Sequence, residues 1–420
     1  MNTIRELVRK IFVHNLARNS AIVFAGSMAA NVGSYVYHLL MGRLLGPAGY
    51  GEYSSLLSLL YIFTVPLTVS QTVLIKFVSD FKAHGEIGQA KSLFTKVTKM
   101  LLVAIVIGFP FAFIAAPWIA GFLHLTTSTL FIVLYALGAF SFLSVPPISL
   151  LSGYQRFIWL SIFSAGGIFL KLAISIPMAR WGVYGVLLGA TMSSLIVYTL
   201  YYIPLRFILR IKSAATNLSR TSAFGYAVPT LFTLLGITSL FSTDIILVKH
   251  FFQASEAGIY AALAILGKIV FYASSAIATV LFPTVAERAA SSGSTKKLIL
   301  AATGGVASIS AGITILYFLF PDSIIRLLFG KAYGGAGVLL GEFGVFITLF
   351  SVGYIITMAS LAIGKTRIWI VPAACAILQI IGISLIHNSI SDVLFINITV
   401  SAVFMIAAGL YYLKISHEKV

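Results

Sequence analysis

GRLLGPAGYGEY, residues 42–53, lies between two long apolar runs and contains four glycines and one proline. Glycine and proline interrupt helices, so this stretch predicts a tight turn between two apolar helices. A related stretch, KHFFQASEAGIY at residues 249–260, aligns with it at an offset of 207 residues, which places Gly51 on Gly258. Because this offset is about half the chain, the sequence predicts one six-helix unit that occurs twice.

The composition is that of a membrane protein. Of the 420 residues, 59% are hydrophobic and 9% are charged, and the mean hydropathy is +1.03. A soluble domain is about 25% charged. The one cysteine, Cys375, excludes a disulfide within the chain and lies in an apolar run, as a buried thiol would. We therefore expect an all-α integral protein of the cell (cytoplasmic) membrane.

Twelve apolar runs have the length of about 20 residues that a membrane-spanning helix needs. They fall at residues 20–41, 53–75, 97–118, 129–150, 157–179, 183–204, 224–248, 258–281, 298–320, 337–361, 368–387 and 392–413. With the N-terminus inside, 21 of the 28 lysines and arginines lie in cytoplasmic segments and five lie outside. The positive-inside rule then places both termini in the cytoplasm. This topology accounts for most of the net charge of +17, so nucleic acid is not an expected partner.

Because both halves start on the cytoplasmic side, the two repeats are parallel and related by a pseudo-two-fold axis along the membrane normal. The sequence predicts an N-terminal lobe at residues 1–210 and a C-terminal lobe at residues 211–420. A second match supports the repeat. SGYQRF and IGKTRI each end the fourth helix of their half, and they place Gly153 on Gly364 at an offset of 211.

Polar groups that face lipid are costly, so polar side chains within the spans indicate inner faces and candidate sites. Two lysines, Lys171 and Lys268, lie well inside predicted spans, away from the cytoplasmic ends. Each is a candidate to bind an anionic substrate; the alternatives are an ion pair with a carboxylate or snorkelling to a headgroup. The further polar candidates lie on predicted helices 1, 2 and 8, where such residues can also simply join neighbouring helices. They are Asn31, Tyr61, Gln71, Tyr272 and Ser275.

Two carboxylates are candidates for coupling transport to a proton or a sodium ion. Asp244 lies near the outer end of predicted helix 7, and Glu342 lies in the outer part of helix 10. Asp244 has the alternative of pairing with Lys249 or Lys268. Arg43 lies at the outer rim and is also a candidate for substrate binding, although its position beside the first outside turn favours a structural clamp. The sequence contains no metal-ligand cluster, phosphate-binding loop or catalytic triad, so we expect no cofactor and no enzyme activity.

Several motifs give the chain a family resemblance. They are RLLGPAGYGEY (43–53), TDIILVKHF (243–251), EAGIYAAL (256–263), LFGKAYGGAGVLL (328–340) and GKTRIW (364–369). In order and spacing they resemble the Wzx-type polysaccharide flippases of the multidrug/oligosaccharidyl-lipid/polysaccharide exporter superfamily. The resemblance covers almost the whole chain. It implies two six-helix lobes around a cavity that opens to alternate sides.

The resemblance also implies a cargo, an anionic polyprenyl-(pyro)phosphate-linked oligosaccharide moved to the outer leaflet. Membrane lipids and glycan-assembly enzymes are then the candidate partners. A cation-coupled multidrug exporter of the same superfamily is the alternative. A polymerase or ligase would need a long outside loop with several ionisable residues, and the sequence has none. The sugar sequence and the coupling ion are not specified by these motifs.

Overall fold

The computed structural model describes residues 2–214, 221–290 and 295–417. This part of the chain is helical: it holds fourteen α-helices and three short 3-10 helices and has no strand. Side chains are described for residues 26–214 and 228–274, for 295–414, and for three isolated positions between these ranges. The chain forms two compact units.

Unit 1 comprises Met1–Met41, Pro66–Ala120 and Thr126–Ser219. Its helices include both ends of the long helix α1, and α5 packs against α3 and α4. In its core, the rings of Phe163 and Tyr201 meet edge to face with their centroids 4.7 Å apart. The helices are α1 (Asn2–Ala83), α2 (Ile87–Phe122), α3 (Thr129–Gly153), α4 (Phe157–Met178), α5 (Gly182–Leu200) and α6 (Arg206–Leu209).

Unit 2 comprises Gly42–Val65, Gly121–Leu125 and Arg220–Val420. Its centre is α12, which packs against α9, α10 and α14. The predicted lobe boundary at residues 210 and 211 stays a prediction. The helices are α7 (Thr221–Leu240), α8 (Thr243–Phe251), α9 (Ala254–Ala290), α10 (Lys296–Leu319), α11 (Pro321–Leu328), α12 (Gly337–Ala362), α13 (Ile370–Leu385) and α14 (Ile390–His417).

Among the described residues, nine helices are long and apolar enough to cross a membrane, or ten if the bent pair of α7 and α8 is one span. Two of the nine are 58 and 44 residues long, Gly26–Ala83 and Phe157–Leu200. Each exceeds twice the length of about 20 residues that one crossing needs. The chain is therefore a multi-pass membrane protein. The count of twelve spans stays a prediction.

Both long stretches contain a glycine whose backbone leaves the helical region. Gly46 has φ 67° and ψ 176°, and Gly182 has φ 65° and ψ −149°. Glycine takes such angles without the steric cost that a Cβ would bring. The turn predicted for residues 42–53 is thus confirmed at Gly46 but is wrong in extent, because the helix resumes at Pro47. Proline fits there, since the first helical residue needs no N–H donor.

The two glycines matched at an offset of 207 lie against each other within unit 2. A Cβ added to Gly51 would lie 2.7 Å from the Gly258 nitrogen, and one added to Gly258 would overlap the Pro47 carbonyl. Only glycine allows two helix backbones to approach this closely. The sequence match therefore marks a helix crossing between α1 and α9.

The second predicted match is wrong by two residues. After α3, the chain turns at Gln155 with φ 59°, and Arg156 donates its N–H to the Leu151 carbonyl at 2.8 Å. After α12, the same turn occurs at Gly364 with φ 80°, and Lys365 donates to the Ser360 carbonyl at 3.0 Å. The structural counterpart of Gly364 is thus Gln155 and not Gly153. A glutamine in this left-handed conformation concealed the register, because sequence comparison matched glycine with glycine.

Candidate functional site

Lys268 is buried in unit 2, where its ammonium group lies between two aromatic rings. The side chain is 8% exposed, and its nitrogen is 5.2 Å from the ring centroid of Tyr61 and 5.1 Å from that of Phe241. Aromatic faces attract cations within about 6 Å. Among the residues that the structure describes, no carboxylate forms an ion pair with Lys268. The aromatic rings therefore provide only part of the compensation that a buried charge needs.

Lys268 is held in the interior of unit 2 by close packing of the residues around it. Gly267 faces the rings and side chains of α12, where a Cβ would lie 2.5 Å from the Phe343 ring. The Tyr317 hydroxyl donates to the Leu266 carbonyl at 2.7 Å. Phe241, which contacts Lys268, stacks in turn on Phe350 at 5.3 Å. Packing on three sides thus fixes where the lysine points.

Asp244 is the centre of a buried polar network in the same unit. It is 2% exposed, and its Oδ2 accepts a hydrogen bond of 2.6 Å from the Tyr260 hydroxyl. Asn397 donates from Nδ2 to the Tyr260 oxygen at 2.7 Å and to Asp244 at 3.5 Å. Lys268 is close enough to interact with the carboxylate electrostatically. Among the described residues, Asp244 forms no ion pair with Lys249.

The network continues to α13. Gln379 donates from Nε2 to the Asn397 Oδ1 at 2.8 Å and to the Leu240 carbonyl at 3.1 Å. Its own Oε1 is buried and has no hydrogen-bond partner among the described residues. Sequence reasoning missed Tyr260, Asn397 and Gln379. The available signal was a single amide side chain within each of two largely apolar helices, α13 and α14.

The break between α7 and α8 explains why a carboxylate is stable at this depth. Helix α7 ends at Leu240 and α8 begins at Thr243, so Asp244 lies in the first turn of a helix. Its Oδ1 accepts the Ile245 N–H at 2.9 Å. The unpaired N–H groups and the dipole of a helix N-terminus both favour a negative charge.

Lys171 lies in unit 1 on α4. Its nitrogen is 4.0 Å from the ring centroid of Tyr37, a fully buried residue of α1. The Tyr37 hydroxyl is 3.5 Å from the Ser175 oxygen. In the described part of the chain, Lys171 has no ion-pair partner. The predicted alternative of a carboxylate pair is therefore not seen for either intramembrane lysine.

A cavity of about 460 Å³ opens beside Lys171, within unit 1. Four helices contribute to its wall, and six of the lining residues are serines. They are Ser34 on α1, Ser141 and Ser144 on α3, Ser164 on α4, and Ser193 and Ser194 on α5. Its volume is within the range of about 300–1,000 Å³ that is usual for small-molecule sites.

Arg43 is engaged with another helix. Its guanidinium group donates to the carbonyls of Leu327 and Leu328, the last residues of α11. A cation at a helix C-terminus satisfies free carbonyls and complements the helix dipole. Next to it, the Tyr333 hydroxyl donates to the Gly42 carbonyl at 2.8 Å. This arrangement favours the clamp over the substrate-binding interpretation of Arg43.

The remaining candidates are scattered. Asn31 is exposed on α1, Gln71 is partly buried in unit 1, and Glu342 is exposed on α12. Tyr272 on α9 is half-exposed, and the side chain of Ser275 lies outside the described residues. The structure thus brings together Lys268 and Tyr61 from the predicted set. Within the ranges it describes, no group of three or more metal-ligating side chains occurs.

Solved structures with the same fold are transporters. One is an inward-facing multidrug resistance MATE family transporter of the MOP superfamily, with 15% identity, 91% and 94% of the two chains covered and a TM-score of 0.71. Another is the lipid II flippase MurJ in an inward closed conformation, with 14% identity, 94% and 87% coverage and a TM-score of 0.68. A third is the Vibrio cholerae MATE transporter VcmN in its bent form, with 11% identity, 96% and 98% coverage and a TM-score of 0.63.

These likenesses confirm the superfamily fold that the sequence motifs predicted. A search of curated protein sequences gives no significant match. The family model described as "Polysaccharide biosynthesis protein" matches residues 39–336, well over half of the sequence. That range includes both intramembrane lysines and Asp244. The chain therefore belongs to the polysaccharide biosynthesis protein family.

Proposed function

We propose that this protein is a flippase. It moves a polyprenyl-(pyro)phosphate-linked oligosaccharide from the cytoplasmic to the outer leaflet of the cell membrane by alternating access. The observation that carries the proposal is the buried Lys268, which has aromatic neighbours and, among the described residues, no carboxylate within ion-pair distance. A buried cation of this kind suits an anionic phosphate group.

The proposed topology has twelve spans with both termini in the cytoplasm. The breaks at Gly46 and Gly182 would each divide a long stretch into two crossings, and α7 with α8 would form one bent crossing. The distribution of 21 cytoplasmic and five outside cations supports this orientation. On this proposal, membrane lipids and the enzymes that assemble the glycan are the partners.

The multidrug-exporter alternative rests on the same fold, which several of the similar structures share. The fold alone does not separate the two functions. Two observations support the flippase. The family is that of polysaccharide biosynthesis proteins, and the intramembrane lysines carry the charge that would attract an anionic cargo and repel a cationic drug.

We further propose that Asp244 couples transport to a proton or a sodium ion. Its carboxylate is buried and accepts hydrogen bonds from the neutral side chains of Tyr260 and Asn397, which supports reversible binding of a cation. The other candidate, Glu342, is exposed on α12. Replacement of Asp244 in opposing ion gradients is the test of this role.

The direct test of the flippase is transport by the purified protein. Proteoliposomes would carry a fluorescent short-chain polyprenyl-pyrophosphate-linked sugar, and quenching from outside would report its leaflet. We expect Lys268→Met to slow transport by about tenfold or more, the size of a lost charge-assisted hydrogen bond. Lys268→Arg should retain more activity because it keeps the charge.

The matched control is Lys99→Met, which removes an exposed lysine from α2. It should transport at the wild-type rate. Wild-type transport by Lys268→Met, with equal protein in the vesicles, would reject the proposed role of Lys268.

A further inference from the structure

The serine-lined cavity of unit 1 has a positive charge that no described side chain neutralises through an ion pair. Lys171 lines it and forms no ion pair among the described residues. Its only described partner is the Tyr37 ring, at 4.0 Å. In a medium of low dielectric constant an unpaired cation is costly, so an anionic ligand would stabilise this arrangement and a neutral one would not.

The serines divide into two groups by the hydrogen bonds they already make. Ser141, Ser144 and Ser193 donate to carbonyls of their own helices at 3.0, 2.7 and 2.8 Å, so towards a ligand they can act only as acceptors. The other three have no hydrogen bond in the described part of the chain and can both donate and accept. They are Ser34, Ser164 and Ser194.

The serine hydroxyl groups of the cavity wall can both donate and accept hydrogen bonds. Such a wall suits a ligand whose own groups can also do both. Sugar hydroxyl groups donate and accept hydrogen bonds, whereas a bare phosphate or carboxylate only accepts them. Serines that merely join helices would point into helix interfaces, but these six hydroxyl-bearing residues from four helices line one open cavity. Its chemistry therefore combines one fixed positive charge with a surface for hydroxyl groups.

We infer that this cavity is a specificity site for a saccharide that carries an oxyanion, with Lys171 binding the oxyanion and the serines binding the hydroxyl groups. The oxyanion is either the carboxylate of an acidic sugar or the phosphate that joins a sugar to its carrier. The inference rests on the proposed function only for the origin of the saccharide. The cavity itself lies wholly within unit 1 and is separate from the surroundings of Lys268.

The test is ligand-observed NMR titration of the purified full-length protein with four probes: glucose 1-phosphate, glucuronate, glucose and inorganic phosphate. We expect at least one sugar anion to bind about tenfold more tightly than glucose or inorganic phosphate, and Lys171→Met to remove that preference. Comparison of glucose 1-phosphate with glucuronate distinguishes the two sources of the oxyanion. Lys171→Arg should retain binding, and the Lys99→Met control should match the wild type.

Three results would overturn the inference. They are binding of neither sugar anion more tightly than glucose, binding of neither more tightly than inorganic phosphate, and unchanged binding by Lys171→Met. Failure of the wild type to bind any of the sugar anions would overturn it as well. None of these results depends on transport, so failure here is distinguishable from failure of the flippase proposal.

A second measurement leaves Lys171 in place. In a Cys375→Ala background, Ser164→Cys would place one thiol in the cavity wall. A methanethiosulfonate reagent with a sulfonate group should label it several times faster than one with a quaternary ammonium group, because Lys171 attracts the anion. Addition of Lys171→Met should abolish the difference. Equal labelling rates with Lys171 present would contradict the inference.

Discussion

Lys171 and Lys268 are both intramembrane cations, but their surroundings differ in kind. Lys268 lies between the rings of Tyr61 and Phe241, whereas Lys171 faces one ring and a cavity rich in hydroxyl groups. The same charge can therefore serve two purposes. Aromatic rings hold a cation in place at modest cost, and a hydroxyl-lined cavity leaves it available to a ligand with hydroxyl groups of its own.

Asp244 should respond to replacement as a coupling residue. Asp244→Asn keeps the size of the side chain and one acceptor for the Tyr260 hydroxyl but removes the charge that would bind a cation. We expect this variant to lose the acceleration that a proton or sodium gradient gives to transport in proteoliposomes. The gradient that accelerates the wild type identifies the ion.

Glu86→Gln, which removes an exposed carboxylate after α1, is the control and should keep the acceleration. If Asp244→Asn responds to the gradient as the wild type does, coupling occurs elsewhere in the protein.

The sequence could predict single residues only where their presence was itself unusual. Lysine or aspartate in an apolar run is costly, so Lys171, Lys268 and Asp244 were identifiable without a structure. Asn397 and Gln379 were not, because an amide in a membrane helix commonly just binds its neighbour. Their role depends on which helices meet at the break between α7 and α8. These contacts belong to the tertiary structure and cannot be predicted from the local sequence.

At the scale of elements, glycine positions decide how closely the helices approach. The Gly51 and Gly258 backbones are in contact, and Gly258 also faces the Pro47 carbonyl. Gly46 instead permits a break through its positive φ, with no atom near enough to obstruct a side chain. The stretch at residues 42–53 thus contains glycines with two different roles: Gly46 allows the helix break, and Gly51 allows close contact with another helix.

Gly258→Ala should destabilise the protein because its methyl group would overlap the Pro47 carbonyl, which cannot move aside without shifting a helix. We expect a loss of about 1–3 kcal/mol, the usual cost of overpacking. The measurement is the unfolding midpoint of the purified protein in detergent.

Gly312→Ala on α10 is the matched control, since a Cβ there meets nothing within 4 Å. It should leave stability unchanged or raise it, because alanine favours helix by up to about 1 kcal/mol over glycine. Equal midpoints for the two variants would show that the α1–α9 crossing is not tightly packed.

Helices were the most predictable elements. Each of the twelve predicted runs coincides with helix over most of its length, because length and apolarity alone specify a membrane helix. The interruptions were less predictable. At Gly46 a single residue with a positive φ interrupts the helix. After α3, the turn is made by Gln155, which adopts the left-handed conformation that glycine usually supplies. Local sequence therefore located the turns but not their register.

At the scale of the whole molecule, the fold is preserved at very low identity. Transporters with 11–15% identity share it over more than nine-tenths of this chain. Apolar helices tolerate extensive substitution as long as volume and pattern are kept. On the proposed function, cargo specificity would reside in the few polar side chains within the helices. In this chain those include two lysines, an aspartate network and a serine-lined cavity.

The central claim is that the protein exports a lipid-linked saccharide, and the most direct measurement is made in cells. Lipid extracts of a strain that lacks this protein would be compared by mass spectrometry with those of the same strain carrying the wild type or Lys268→Met. We predict that a polyprenyl-linked oligosaccharide accumulates in the deletion strain and with Lys268→Met, and that surface glycan is lost. Absence of any such lipid, together with increased sensitivity to cationic drugs, would contradict the account and favour a multidrug exporter.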